Sequence, residues 1–184
     1  MENLQRLFQI SVEKNLNLRL AMPADANALE KVIEENRDHL AKYLPWVKIN
    51  TLNDLKKFLT NAIDLFGQGK MFEYLIVKGT EIVGIAEINE VNQNERSAEV
   101  GYWLASNFCH QGIMTKSIKV LIREISEVLK LHRFVIRTDV DNEPSRKLAV
   151  SAGFSFEGIR KEDHFSAGQF YDSAVYYYLV KNGK

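Results

Sequence analysis

The sequence predicts a mixed α/β protein of the α+β kind: a twisted, mostly antiparallel sheet of about seven strands with about four helices inserted along the chain. Three observations predict it. The strand-like runs FEYLIVKG, EIVGIAEINEV and SAEVGYWLA follow one another with only the short turn 78–80 and the polar loop 92–96 between them, the pattern of an antiparallel meander. Directly after them, Ile113, Ile118, Leu121, Ile122, Ile125, Val128 and Leu129 recur at helical intervals across 112–130. The chain then closes on RFVIRTDV, the short helical stretch PSRKLAVSAG, and two further strand-like runs, FSFEGIRKE and DSAVYYYLVK.

Upstream, NLNLRLA (15–21) alternates leucine with polar residues, as a strand with one buried face does. Pro23 opens a helix over roughly 24–40, in which Ala28, Leu29, Val32 and Ile33 share a face. YLPWV breaks that helix. A second follows Thr51 or Asn53 as N-cap, carries Leu55, Phe58, Leu59, Ala62, Ile63 and Phe66, and stops at Gly67. No repeat, low-complexity tract or Pro/Gly/Ser-rich linker divides the chain, so residues 1–184 read as one domain.

Composition narrows the function classes. Lysine plus arginine and aspartate plus glutamate balance at 24 each, so no basic surplus points to direct nucleic-acid binding. The single cysteine, Cys109, leaves no intrachain disulfide and no multi-cysteine zinc site; no metal is expected and the cytoplasm is the default compartment. The start MENLQRLFQISVEKN lacks the apolar core of a secretory signal, and no later stretch has the roughly 20 apolar residues of a membrane-spanning helix. An exposed face of AVYYYLVK would support a homo-oligomer.

The sharpest local signal is SNFCHQGIMTKS, which places Gly112 where the long helix must start. A helix's first turn exposes amides without internal partners and carries the positive end of the aligned peptide dipoles, so phosphate oxygens are favoured there. Glycine permits close backbone approach. By itself the glycine reads first as a tight turn with Thr115 capping the helix, and neither the dinucleotide G-x-G-x-x-G nor the P-loop pattern is present.

The neighbourhood extends the reading. VGYWLASNFCHQGIMTKSIKVLI resembles motif A of the GNAT family of N-acetyltransferases, and TDVDNEPSRKLAVSAGFSFEGIRKE resembles its motif B through Asn142, Ser145, Gly153, Phe154, Glu157, Gly158 and Arg160. The resemblance covers about 18–180 and is nearest to the RimJ/RimL type, which includes ribosomal-protein N-terminal acetyltransferases; ENRDHLAKYLPWV also looks like that branch. Two departures stand out: Cys109 occupies a place often held by Gln or Arg, and Met114 one often held by a small residue.

The resemblance implies the GNAT fold, with acetyl-CoA as co-substrate in a V-shaped opening between the fourth and fifth strands. It implies direct acetyl transfer to an amine, so that Cys109 is not a nucleophile. Cofactor contacts fall on Trp103, Leu104, Cys109, His110, Gln111, Gly112, Ile113, Met114, Thr115, Asn142 and Ser145. A backbone N–H near Trp103 or Leu104 would polarise the acyl oxygen.

An α-amine with a pKa of about 8 is only about one-tenth neutral at pH 7, so a positioned base helps, typically by about 10²- to 10⁴-fold. Glu99 is the first candidate and His164, in a polar loop after motif B, the second. Ser145 is placed by the resemblance near the departing sulfur; on pattern alone, Asn142-Glu-Pro-Ser145 is also a plain helix cap. The acceptor side falls on the segment 36–46, the second helix and the loop 161–171, with Asn36, His39, Tyr43, Trp46 and Glu162 as substrate contacts. The acceptor is the N-terminus of a protein, a ribosomal protein in the RimL branch, or a small amine such as a polyamine or aminoglycoside; a non-catalytic acetyl-CoA-binding module is the alternative class.

Overall fold

The computed structural model describes residues 5–166 and 168–181. One eight-stranded sheet organises the chain: β1 (Gln9–Glu13), β2 (Leu16–Leu20), β3 (Phe72–Lys78), β4 (Glu81–Asn92), β5 (Ser97–Leu104), β6 (Arg133–Asp139), β7 (Ser155–Ser166) and β8 (Gln169–Leu179), in the order β1-β2-β3-β4-β5-β6-β8-β7. Every neighbouring pair is antiparallel except β5 and β6, which are parallel. Their connection carries the long helix α4 (Ile113–Leu129), as a parallel crossover requires.

Period-two alternation splits the strands between two cores. Tyr74, Ile76, Ala86 and Ile88 pack under α4 and α5 (Glu143–Ala152), with Ile118, Leu121, Ile125 and Ala149. Leu75, Val77 and Ile85 pack on the opposite face with Leu29 and Ile33 of α1 (Ala26–Glu35) and Leu55 and Leu59 of α3 (Leu52–Gly67). Thr51 caps α3 by accepting from the Asp54 amide while Asp54 accepts from the Thr51 amide, a reciprocal pair that fixes where the helix begins.

Three details differ from the sequence expectation. The sheet has eight strands instead of about seven, because QISVE pairs with β2 at the sheet edge although only Ile10 of it is buried, too weak an alternation to read. The helix expected over 24–40 divides into α1 and a short α2 (Arg37–Leu40) at Asn36. There Nδ2 donates to the Val32 carbonyl while Oδ1 accepts from the backbone and hydroxyl of Ser106, so the side chain competes with the helical ladder. Five helices of the α type are therefore present among the described residues. Finally, 161–171 is no loop: β7 and β8 pair out to Ser166 and Gln169, putting His164 on a strand opposite Tyr171.

One feature of the sheet creates the site. β5 and β6 pair only over Ser97–Glu99 and Arg133–Val135, after which β5 continues on β4 as far as Leu104 and β6 continues on β8 as far as Asp139. The two strands diverge, leaving a V-shaped opening. In a count that begins at β2, these are the fourth and fifth strands.

Candidate active site

The turn between β5 and α4 is shaped for an anion. Gly112 sits at the helix N-cap with φ 74° and ψ 1°, a left-handed conformation that favours glycine, and His110 two residues earlier also has positive φ. A Cβ built on Gly112 would meet no protein atom within 4 Å, so the amides there face open space. Lys116, which donates to the Gly112 carbonyl at 3.0 Å, makes the first bond of the helical ladder, leaving the amides at 113–115 without helical acceptors. An acidic side chain is favoured at that end of the dipole, yet the first turn of α4 holds none, so its positive end is available to a ligand.

The Gln111 side chain points elsewhere: it accepts from Lys78 Nζ at 2.9 Å and donates to the Asn107 carbonyl at 2.8 Å, bracing the turn from behind. Met114 is 4% exposed and packs into the core under α4. Cys109 Sγ lies 3.7 Å from the Ala105 carbonyl, and burial raises its pKa, which keeps it a thiol.

From this turn a cleft of 1310 Å³ runs through the splay to the opposite face of the sheet. Trp103, Leu104, Cys109, His110, Gly112 and Ile113 line it, as do Met114, Thr115, Asn142 and Ser145. On the far side it is lined by Glu99, His164, His39, Tyr43 and Trp46. Gln111, Asn36 and Glu162 of the expected site residues are not part of the lining. Asn36 ties the end of α1 to Ser106, and the Glu162 amide donates to Asp172 on the exposed hairpin.

Three polar groupings stand in the cleft. Ser145 Oγ lies 2.8 Å from the Tyr102 hydroxyl, whose pKa burial pushes up to about 12, while the Ser145 amide donates to Asn142 Oδ1 at 3.1 Å. The cap and the outward hydroxyl coexist on one residue. Glu99 accepts from Arg137 Nε at 2.6 Å; burial, with Glu90 and Glu87 nearby, still outweighs that guanidinium and pushes the carboxyl up to about 6. His164 Nε2 lies 3.2 Å from Asp139 Oδ1 and its ring stacks on Tyr171 at 5.4 Å between centroids.

Backbone alternation supplies a fourth group. The Ala105 amide donates to Val83 on β4, so along an unbroken register the Leu104 and Tyr102 amides project from the other edge, into the splay. Gly84 permits the close approach of β4 behind this point, since a Cβ there would stand 2.3 Å from the Trp103 carbonyl oxygen. Sequence reasoning missed Tyr102, Arg137 and Asp139. Tyr102 lies inside the GYW run and reads as a core aromatic, and only the packing of α5 against α4 and β6, beside the splay, brings Ser145 to its hydroxyl.

Comparison with known proteins agrees with this geometry. The family model described as Acetyltransferase (GNAT) domain matches residues 15–155. The ribosomal-protein-serine acetyltransferase of Escherichia coli (strain K12) is 28% identical over 172 residues, covering 93% of this chain and 96% of its own. The putative ribosomal N-acetyltransferase YdaF of Bacillus subtilis (strain 168) is 30% identical over 181 residues, 95% of this chain and 96% of that one. Among solved structures, the RimL ribosomal L7/L12 alpha-N-protein acetyltransferase in complex with coenzyme A superposes with a TM-score of 0.88 at 29% identity, covering 94% of this chain and 98% of that one. The microcin C7 self-immunity acetyltransferase MccE, solved with acetyl-CoA and AMP, gives 0.87 at 28% identity, with 92% and 94% covered. An amide-lined turn at a helix N-terminus, a strand splay opening beside it and full-length likeness converge: the chain belongs to the GNAT family and is an N-acetyltransferase that uses acetyl-CoA as co-substrate.

Proposed function

We propose that the protein acetylates the N-terminal α-amine of a protein, a ribosomal protein in the first instance, and that residues 1–184 act as one catalytic domain in the cytoplasm. The observation that carries this reading is the cleft that begins at the Gly112 turn and emerges between Tyr43, Trp46 and the β7–β8 hairpin, in a chain alike over nearly its whole length to ribosomal-protein acetyltransferases.

In the proposed reaction the diphosphate of acetyl-CoA rests on the amides around Gly112 and the acyl arm enters the splay. The neutral amine attacks the thioester carbonyl, whose oxygen is met by the Leu104 amide. As the N–C bond forms, Glu99 takes the proton that the nitrogen loses. A carboxylate raised to about 6 remains largely ionised at pH 7 and is a stronger base than an ordinary one. The His164–Asp139 pair is the second group within the cleft able to receive that proton. When the C–S bond breaks, Ser145 donates a proton to the thiolate and draws on Tyr102 behind it.

Glu99 makes a combined prediction. Between pH 4.5 and about 6 the folded protein keeps a proton that the unfolded chain has released, so stability falls as pH rises through that window, and above it the penalty is about 2 kcal/mol. Arg137 retains Glu90 as a partner when Glu99 is neutralised. Glu99→Gln should therefore melt roughly 4–8 °C higher than the parent at pH 7.5, match it near pH 4, and lose about 10²-fold in kcat. Equal melting at both pH values together with full turnover would remove Glu99 as the base.

Acetyl-CoA at about 100 times its Kd should add about 2.7 kcal/mol of stability, roughly 5–11 °C in Tm. Thiol release against peptides beginning with Ser, Ala or Met, beside polyamines, aminoglycosides and lysine peptides, then identifies the acceptor. Turnover confined to the small amines would replace the protein-N-terminal reading. A melting shift without turnover of any amine would leave a cofactor-binding module.

A further inference from the structure

Two carboxyl groups in the cleft take no part in the proposed reaction. Glu73 on β3 and Glu87 on β4 are directly opposite in register, both line the cleft, and the Glu87 carboxyl bears on the proton of Glu73. Glu73 is 5% exposed, and its Oε2 is buried without a hydrogen-bond partner. Among the described residues neither carboxyl makes an ion pair: Arg137 on β6 is taken by Glu99 and Glu90, and the only other polar contact is Asn89 Nδ2, which donates to Glu87 Oε1 at 2.9 Å. Gly101 on β5 completes the arrangement. A Cβ there would lie 2.1 Å from Glu87 Oε1, so the missing side chain is what lets Glu87 lie across the floor.

We propose that Glu73 and Glu87 form a subsite for an alkylammonium group that the acceptor carries beside the amine to be acetylated, such as a lysine side chain at the second position of a peptide. This rests on reading the α1–α3 side of the cleft as the acceptor side. Burying a carboxyl with an unused oxygen and no counter-charge is costly, and an incoming cation supplies both the missing donor and the missing charge. Burial, reinforced by the proximity of Glu87, pushes the Glu73 carboxyl well above the ordinary carboxylate range, and a cation bound beside it would favour the ionised form.

The surroundings favour an alkyl stem over a compact ion. Leu29 and Ile33 of α1, with Leu55 and Phe58 of α3, line the same cleft and offer apolar surface to the methylenes. The reach is suitable too. Glu87 faces Gly101, two residues before Trp103, so strand spacing and rise put the pair's backbone roughly 8–12 Å from the point of transfer, within range of the second side chain of an extended acceptor.

The test is calorimetric titration of the enzyme saturated with CoA, using pentapeptides with serine first and lysine or norleucine second, and diaminobutane against butylamine. Norleucine keeps the stem and removes the charge. The lysine peptide should bind about 10-fold more tightly than its norleucine counterpart, and the ratio should fall to near one in Glu87→Gln and in the Glu73→Gln, Glu87→Gln double variant, whose isosteric replacements keep the floor filled. Equal binding of the two peptides together with equal binding of diaminobutane and butylamine, or a preference surviving in both variants, overturns the subsite. If both pairs bind alike and the peptides are acetylated, the subsite fails and the protein-N-terminal reading stands. Charge-dependent binding of the diamine alone, lost in the variants, keeps the subsite and overturns the protein acceptor.

Discussion

Gly112→Val is expected to raise the KM for acetyl-CoA by about 10²-fold, and two independent effects add to reach that size. Left-handed backbone at φ 74° costs an ordinary L residue about 1–2 kcal/mol, and a β-branched one is less suited still. The second effect is the ligand's own. Because a Cβ at this position would have no protein atom within 4 Å, the added methyls collide with nothing in the chain and instead occupy the space in which diphosphate would touch the amides. Losing a charge-assisted hydrogen bond there costs about 1.5–3 kcal/mol, and about 2.7 kcal/mol in total already corresponds to 10²-fold. Gly112→Ala separates the two, since it carries the strain with much less bulk and should lose only about tenfold. An unchanged KM in the valine variant, measured by initial rates at varied acetyl-CoA, would show that the diphosphate binds elsewhere.

For Ser145→Ala the expected loss is in kcat, by about 10²-fold, with the KM for acetyl-CoA altered by less than about threefold. The hydroxyl is not needed to build the helix, because Asn142 Oδ1 accepts from the backbone amide of residue 145, which alanine also has. What alanine removes is the oxygen 2.8 Å from Tyr102. Tyr102→Phe should produce a loss of similar size, and the double variant should be little worse than either single one, because two groups acting as one proton relay do not add. Full activity in Ser145→Ala would move protonation of the thiolate to another donor.

Much of the site was legible because its main parts are local in the chain. Positive φ at Gly112, the start of α4 and the Asn142 cap follow from neighbours within a few residues, so spacing alone exposes them. Asn36, Gln111 and Glu162 show the opposite case, where residue type and position suggest a contact but side-chain direction is set elsewhere. Asn36 is drawn to Ser106, Gln111 is held by Lys78, and Glu162 rides on a hairpin turned outward. His164 could not be read as a strand residue, since the polar stretch around it pairs with β8 through irregular register instead of clean alternation.

By itself the sequence determined most of the order of helices and strands, the glycine turn before α4 and the serine-bearing cap, because hydrophobic period and capping chemistry act over a few residues. Only the tertiary structure decided how far β5 and β6 stay paired, that Tyr102 meets Ser145 across 43 positions of chain, and that Glu73, Glu87 and Glu99 share one face beside a single guanidinium. These depend on strand order and register, in which residues far apart along the chain are brought within a few ångströms, and on burial and neighbouring charge, which change what a carboxyl or phenol does with its proton.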